Sequence, residues 1–384
     1  MSYKRHIYIV LVLGIFLAGC AGIRIGRPLK QQPGDWLMYG GAATRVNQSN
    51  AIITPPLYQA WEYNALAGIA TTPLVRDSVM IIGTLHGELQ AVNLSNGKRL
   101  GYIVLESAVA ATPAWDGAYV YVPSAQGTET LACIGIEESE RKWVAQLGPI
   151  ESSPLLVGDL LYVVALDGTL YCLNKKDAAE VWKFVPAPKE KRMQVHSSPA
   201  TDGNIIVFGS DEGCIYAVDR LGGQLRWKYQ VGGSVFATPI ITEGKVVVGS
   251  TSGLLVSLNA NDGTLVWKYD TGSRIFGAAS ATKDLIFVGS ADGHCHAVKS
   301  SSGAKVWTFS AKSVLNSAPL VAGNILYLGS LDRTLYALRV ESGEELWQYA
   351  APGRIRVSPV IWGTTLLLTY EDKFVSALRA QEVQ

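Results

Sequence analysis

The densest grouping of side chains able to do chemistry is His294-Cys295-His296. A metal ion would need these donors to converge, yet successive side chains of a strand leave opposite faces, which puts His294 and His296 on one side and Cys295 on the other. That pattern reads as structural. Cys133, Cys172, Cys214 and Cys295 are scattered without CxxC spacing, giving neither a zinc nor a thioredoxin-like motif, and are expected to be small core residues. GxSxG, a Walker-type phosphate loop and HExxH are all missing from the sequence. The sequence therefore predicts no catalytic set and no metal site. The remaining candidates keep constant offsets from a recurring proline-type position: Glu151, His196, Asn316 and Arg356 three residues before it, Arg274 and Arg354 five before it. Side chains that recur at one offset belong to a repeat, and the repeat decides where they point.

The recurring position is Pro73, Pro113, Pro154, Pro199, Pro239, Ala279, Pro319 and Pro359, spaced by forty residues from Pro199 onward. Trp61, Leu100, Trp143, Trp182, Trp227, Trp267, Trp307 and Trp347 recur in register, each after a Gly-containing turn, and are expected to pack one unit onto the next. Each unit holds four short runs of alternating apolar residues separated by turns rich in Gly, Asn and Asp. Forty residues with four strands is the size of a propeller blade. The prediction over 35–384 is all-β: an eight-bladed β-propeller of four-stranded antiparallel blades. Trp61 precedes the first full unit, and the run Phe374 to Leu378 has no tryptophan strand after it. The N-terminal strand should therefore pair with the last blade and remove an open sheet edge. Four residues before each marker stands an aliphatic core residue, from Ile69 to Ile355. The next position, Ala70, Ala110, Glu151, His196, Phe236, Phe276, Asn316 and Arg356, should face the channel mouth. Glu151, His196, Arg274, Asn316, Arg354 and Arg356 then either grip a ligand at the funnel or line a water-filled polar channel.

With 33 basic and 32 acidic residues the net charge is +1, which supplies no field to attract nucleic acid or an anionic surface. The first residues carry a different signal. Lys4 and Arg5 precede an apolar run from Ile7 to Leu17, too short for a membrane-spanning helix of about 20 residues. Leu17-Ala18-Gly19-Cys20 follows at once and resembles the lipobox of bacterial lipoproteins. The expected organisation is a signal peptide over 1–19, a lipidated (palmitate-bearing) Cys20 with a tether over 20–34, and then the propeller. Ala21 after the cysteine resembles the sorting pattern for the outer membrane. The clear insertion lies between Trp182 and Pro199 and reads VPAPKEKRMQV. Its prolines stiffen it, Lys189, Lys191 and Arg192 charge it, and Met193 offers an adaptable apolar contact, so it reads either as a docking loop or as a solvated connection.

The segments GGQLRW, DGTLVW, SGAKVW and SGEELW, with GTLYCL, CIYAV and TLYAL, resemble the PQQ-type propeller repeat over nearly the whole mature chain. Eight such blades behind a lipobox resemble the BamB family of outer-membrane assembly lipoproteins. That resemblance implies a non-catalytic scaffold, lipid-anchored to the periplasmic face of the outer membrane, whose envelope partner is a BamA-like component of barrel assembly. It also implies a contact through the insertion, where Gln194 falls at the place of the family's arginine, Met193 matches one of its leucines and Lys191 replaces another. The same repeat occurs in quinoprotein dehydrogenases, so the alternative is a propeller that binds PQQ or another ligand in its funnel. PQQ with calcium would need carboxylate and amide ligands and long loops, and the large alcohol dehydrogenases also carry adjacent cysteines. Blades of forty residues and the lack of any Cys-Cys pair point to a chain without that cofactor. A further alternative, a binding module for a peptide or glycan, would be marked by an aromatic cluster around Phe236 and Phe276.

Overall fold

The computed structural model describes residues 22–186, 194–370 and 373–381. Within them the chain forms eight antiparallel four-stranded sheets, one per repeat unit, with a short fifth strand added to one of them. Blade 1 consists of Leu74–Arg76, Val79–Gly83, Glu88–Asn93 and Arg99–Val104 from axis to rim, and blades 2 to 7 repeat that order. Blade 8 takes its outer strand from the start of the chain: Leu57–Asn64 pairs antiparallel with Phe374–Ala380, in register from Leu57↔Ala380 to Asn64↔Phe374. Closure is as the marker order predicts. The ring is thereby closed between its first and last blades, with Leu57–Asn64 locked to Phe374–Ala380.

The period-two pattern explains where the core lies. All eight aliphatic residues four before the marker are buried, including Val109, Val195, Val235 and Ile275 at 0% exposure. Most of the next-but-one positions are small, as in Ser152 and Ser197, because the inner strands converge on the axis. The tryptophans join the blades. Trp227, Trp267 and Trp307 each donate their indole N–H to a carbonyl in the following blade, at Ala260, Ser300 and Val340, over 2.8 to 2.9 Å. Each ring lies over a turn glycine of that blade. A Cβ on Gly303 would stand 2.7 Å from the Trp267 ring, so only glycine permits the contact. Trp182 departs from the pattern. Its indole nitrogen is buried without a partner, and the carbonyl of Arg220 accepts instead from the Tyr162 hydroxyl at 3.2 Å.

The N-terminal part contains what the sequence did not announce. From residue 22 the expected tether is a strap laid down the outside of blade 1: Gly22 N–H donates to Tyr102 O and Arg24 N–H to Leu100 O. Ile23, 3% exposed, joins the apolar cluster of blades 1 and 2 beside Leu100; the tryptophan's place in this outer strand, opposite Ala91, is held by Gly101 and not by the expected Leu100, which lies at the bulge one residue earlier. Lower down, Arg27 pairs with Asp77, and the Lys30 amide donates to the same carboxylate at 2.7 Å. The chain then turns inward at Trp36 and passes under the inner strands. Leu37 O accepts from Trp115 N–H, Ala43 O from Thr201, Thr44 O from Ile241, Val46 O from Ala281 and Asn47 O from Val321. Gln48–Ser49 ends this run as a parallel strand beside Leu320–Ala322. One end of the channel is thereby closed by a segment bonded to successive blades. No helix among the described residues is long and apolar enough to cross a membrane.

Candidate functional site: an axial cavity closed at one end

The cavity on the propeller axis has a volume of about 210 Å³. Its upper ring is the position three before the marker, and all eight members line it: Ala70, Ala110, Glu151, His196, Phe236, Phe276, Asn316 and Arg356. Below them the residues next to the marker form a ring of small side chains whose hydroxyls join neighbouring blades. Thr72 N–H donates to Thr112 Oγ1 at 2.8 Å, Ser153 N–H to Ser198 Oγ at 2.9 Å and Ala318 N–H to Ser358 Oγ at 3.0 Å. Each bond satisfies an amide that the inner strand leaves without a sheet partner on the channel side.

Tyr39 forms the floor, and burial pushes its phenol above the usual range while the hydrogen bond to Ser358 acts against that shift. Arg45, 0% exposed, holds the floor in place. Its guanidinium donates to the carbonyls of Pro199 at 3.0 Å, Pro154 at 2.8 Å and Tyr39 at 2.5 Å. Arg45 (φ 59°) and Asn47 (φ 50°) both sit in the left-handed region. This strain is held by bonds such as Asn47 Nδ2 to Ala279 O at 3.2 Å.

The mouth is chemically lopsided. Blades 1 and 2 contribute only Ala70 and Ala110, whereas blades 3 to 8 contribute every large or polar group. His196 is bracketed by two carboxylates: Nε2 lies 3.3 Å from Glu151, and Nδ1 lies 3.1 Å from Asp211. Phe236 meets the imidazole edge-on with centroids 5.5 Å apart and stacks on Phe276 at 6.2 Å. Asn316 keeps its Oδ1 buried with no hydrogen-bond partner. An acceptor without a donor, an aromatic wall and a charged rim are groups able to hold a small polar molecule by one side.

Arg274 and Arg354 are not part of the lining. Both are exposed on the mouth face one step outward, and Arg274 O accepts the Ala291 amide from the turn between the middle strands. The lining takes the residue three before each marker and not the one five before it. Of the insertion candidates, Lys189, Lys191, Arg192 and Met193 lie outside the described residues, as does Cys20. Gln194 is exposed, and its carbonyl accepts the Asp211 amide at 3.0 Å, which seats the end of the insertion beside the carboxylate that holds His196.

Asp211 was missed from the sequence. Its signal was weak: the aligned turn position reads Leu85, Ala125, Leu166, Thr251, Ala291 and Leu331 in six blades, but Glu371 in blade 8 is charged as well. Tyr39 and Arg45 carried no repeat signal. His294-Cys295-His296 divides across the sheet as alternation requires. His296 bonds Tyr269 and Ser290 at 3.0 and 3.2 Å, while Cys295 is fully buried on the other side. No group of three or more His, Cys, Asp or Glu among the described residues is placed to hold a metal ion. The four described cysteines are unpaired, and burial raises the Cys133 and Cys172 thiols to about 12 and about 11.

Residues 58–184, 185–282 and 272–383 match the family model described as outer membrane protein assembly factor BamB. The chain belongs to this family. A curated relative from Shewanella oneidensis with that description is 25% identical over 184 residues, covering 44% of each chain. Quinohemoprotein alcohol dehydrogenase ADH IIB of Pseudomonas putida is 22% identical over 218 residues, covering 53% of this chain and 27% of its own. The matches span between 23% and 44% of the curated relatives' lengths. The crystal structure of BamB from Moraxella catarrhalis superposes with a TM-score of 0.73 at 17% identity, over 84% of this chain and 100% of that one, and shows the shared fold.

One of these relatives is named a quinohemoprotein, which raises the question of whether the lining fits a quinone cofactor. A tricarboxylate quinone held with calcium calls for several cations and a set of carboxylate and amide oxygens. The cavity offers one arginine, Arg356, a His196 already between two carboxylates, one carboxylate, Glu151, that faces this histidine, and one amide oxygen, on Asn316, too few cations and oxygen ligands for that set. These residues do not fit the group.

Proposed function

We propose that the chain is a lipid-anchored scaffold of the BamB type: acylated at Cys20, held at the periplasmic face of the outer membrane, and supporting β-barrel assembly by contact with a BamA-like partner. The observation that carries this reading is the family match across 58–383. A second feature supports it: the axial cavity has a donor set poorly suited to the quinone of the dehydrogenase relatives. We assign the docking contact to Lys189, Lys191, Arg192, Met193 and Gln194. The described end of that segment, Gln194, is exposed on the mouth face, where a partner could reach the segment.

The stacked pair Phe236 and Phe276, with His196 edge-on, favours a second reading in which the mouth binds a peptide side chain or a sugar ring. One experiment separates the two. Crosslinked capture from membranes is run with the native protein, with Lys189–Gln194 replaced by a Gly/Ser segment, and with Phe236→Ala. Recovery of a barrel-assembly component that only the segment variant loses supports the scaffold and its loop. Loss confined to Phe236→Ala moves the contact to the mouth, and recovery of no envelope protein by any version contradicts the scaffold.

A further inference from the structure

Two independent features meet at one corner of blade 1. The first is the direction of the strap. Arg24 bonds opposite Leu100 and Gly22 opposite Tyr102, so the chain traced backwards climbs the outer strand towards Val104. Val104 is the end of that strand on the mouth face, since it leads through Leu105 into Val109 and the mouth residue Ala110. Ile23 fastens the top of the strap, with its amide on Ser139 Oγ at 2.6 Å and its side chain buried. Cys20 is two residues before Gly22, a reach of about 7 Å at full extension.

The second feature is what surrounds that point. Three large apolar side chains on the mouth face of this blade are left in water: Leu66 at 65% exposure, Leu85 at 45% and Val104 at 56%. Leu66 lies in the connection from blade 8, and Leu85 in the turn between the middle strands. A cavity of about 270 Å³ opens beside Leu66, lined also by His86, Glu88, Arg99 and Tyr102, with the Arg99 guanidinium 5.0 Å over the Tyr102 ring. Apolar tips beside an arginine and a tyrosine suit the boundary between headgroups and acyl chains, where each side chain finds its own layer.

We propose that this corner is a membrane-contact surface, with Leu66, Leu85 and Val104 seated in the bilayer boundary and Arg99 at the phosphates. The proposal rests on the reading of Cys20 as acylated. Acyl chains on Cys20 occupy the hydrocarbon layer, and a strap pinned from Gly22 onward cannot span more than the headgroup region, so the blade cannot stand away from the surface. The propeller then meets the bilayer by the blade 1 edge of its mouth face, with Gln194 on the blade 4 side of that face left clear for a partner and the face closed by Tyr39 and Arg45 turned towards the aqueous side.

The test uses the full-length protein recovered from membranes, in a Cys214→Ser background. A fluorophore is placed at Leu85→Cys or, as control, at Leu221→Cys, which is 68% exposed in a closed-face turn of blade 4. The protein is reconstituted in phosphatidylethanolamine–phosphatidylglycerol vesicles carrying nitroxide lipid. Quenching several-fold stronger at position 85 than at 221, and equalised by a Gly/Ser spacer inserted after Ala21, supports the proposal. Equal quenching without the spacer, stronger quenching at 221, or a label at 85 that is shielded without being quenched would overturn it. Mass spectrometry of the N-terminal peptide separates the causes. An unacylated Cys20 removes the anchor reading and this surface together, whereas an acylated Cys20 with an unquenched position 85 removes the surface alone.

Discussion

At the scale of single residues, the substitutions that depart from the repeat tell most. Where blades 4 and 7 carry Tyr216 and Tyr336, blade 6 carries His296. Burial holds this imidazole down at about 4, against the opposing effect of Asp292 and with minor help from His294 and Lys305. An unfolded chain takes up the proton near pH 6.5 while the folded chain refuses it until about pH 4. The native state is therefore fully stable with respect to this group above pH 6.5 and loses stability as the pH falls towards 4. Discounted for screening, the loss is about 2 kcal/mol. His296→Tyr should leave stability at pH 7 little changed and reduce the fall between pH 7 and 4.5, measured by urea denaturation; parallel profiles for the two proteins would contradict this. The mouth shows the same logic from the other side. His196 was legible as a special residue because its seven counterparts differ from it, but its second carboxylate, Asp211, comes from a turn distant in the unit and had to be found in three dimensions.

At the scale of elements, the tryptophan and the glycine of the following blade form the joint. Gly303 has φ +68° and lies under Trp267, while Gly272 has φ +80° and nothing within 4 Å of where a Cβ would be. Alanine at either position carries left-handed strain of about 1 kcal/mol. Only Gly303→Ala also pushes on the indole that donates to Ser300 O at 2.9 Å, adding about 2 kcal/mol from displaced packing and a weakened hydrogen bond. The difference between the two variants in denaturant midpoint measures the joint, and equal losses would show that the ring contact contributes nothing. These joints were readable in the sequence because forty-residue spacing aligns them. The strap was not. Gly22 to Arg27 has no periodicity, and its partners Leu100, Tyr102, Ser139 and Asp77 are spread over two blades. One trace existed: Gly101 stands opposite Ala91 where the other blades carry tryptophan, and the strap crosses there so closely that a Cβ on Gly101 would stand 1.9 Å from Gly22 O.

At the scale of the whole molecule, eight nearly equal blades make a ring whose two faces differ. The plug from Trp36 to Ser49 bonds to successive inner strands and closes one face, and the polar and aromatic mouth opens on the other together with the end of the long insertion at Gln194. Blade number and closure followed from counting markers, whereas the difference between the faces depended on a segment that precedes the repeats and has their pattern nowhere. That asymmetry, more than the repeat, is what a scaffold needs in order to present one surface to a partner. Membership of the family leaves the cellular role to be measured, and the most direct measurement is the amount of β-barrel proteins in the outer membrane of a strain lacking this chain. The scaffold reading predicts that barrel proteins fall and are restored by the native protein but not by one whose Lys189–Gln194 segment is Gly/Ser; barrel levels unchanged by the deletion would contradict it.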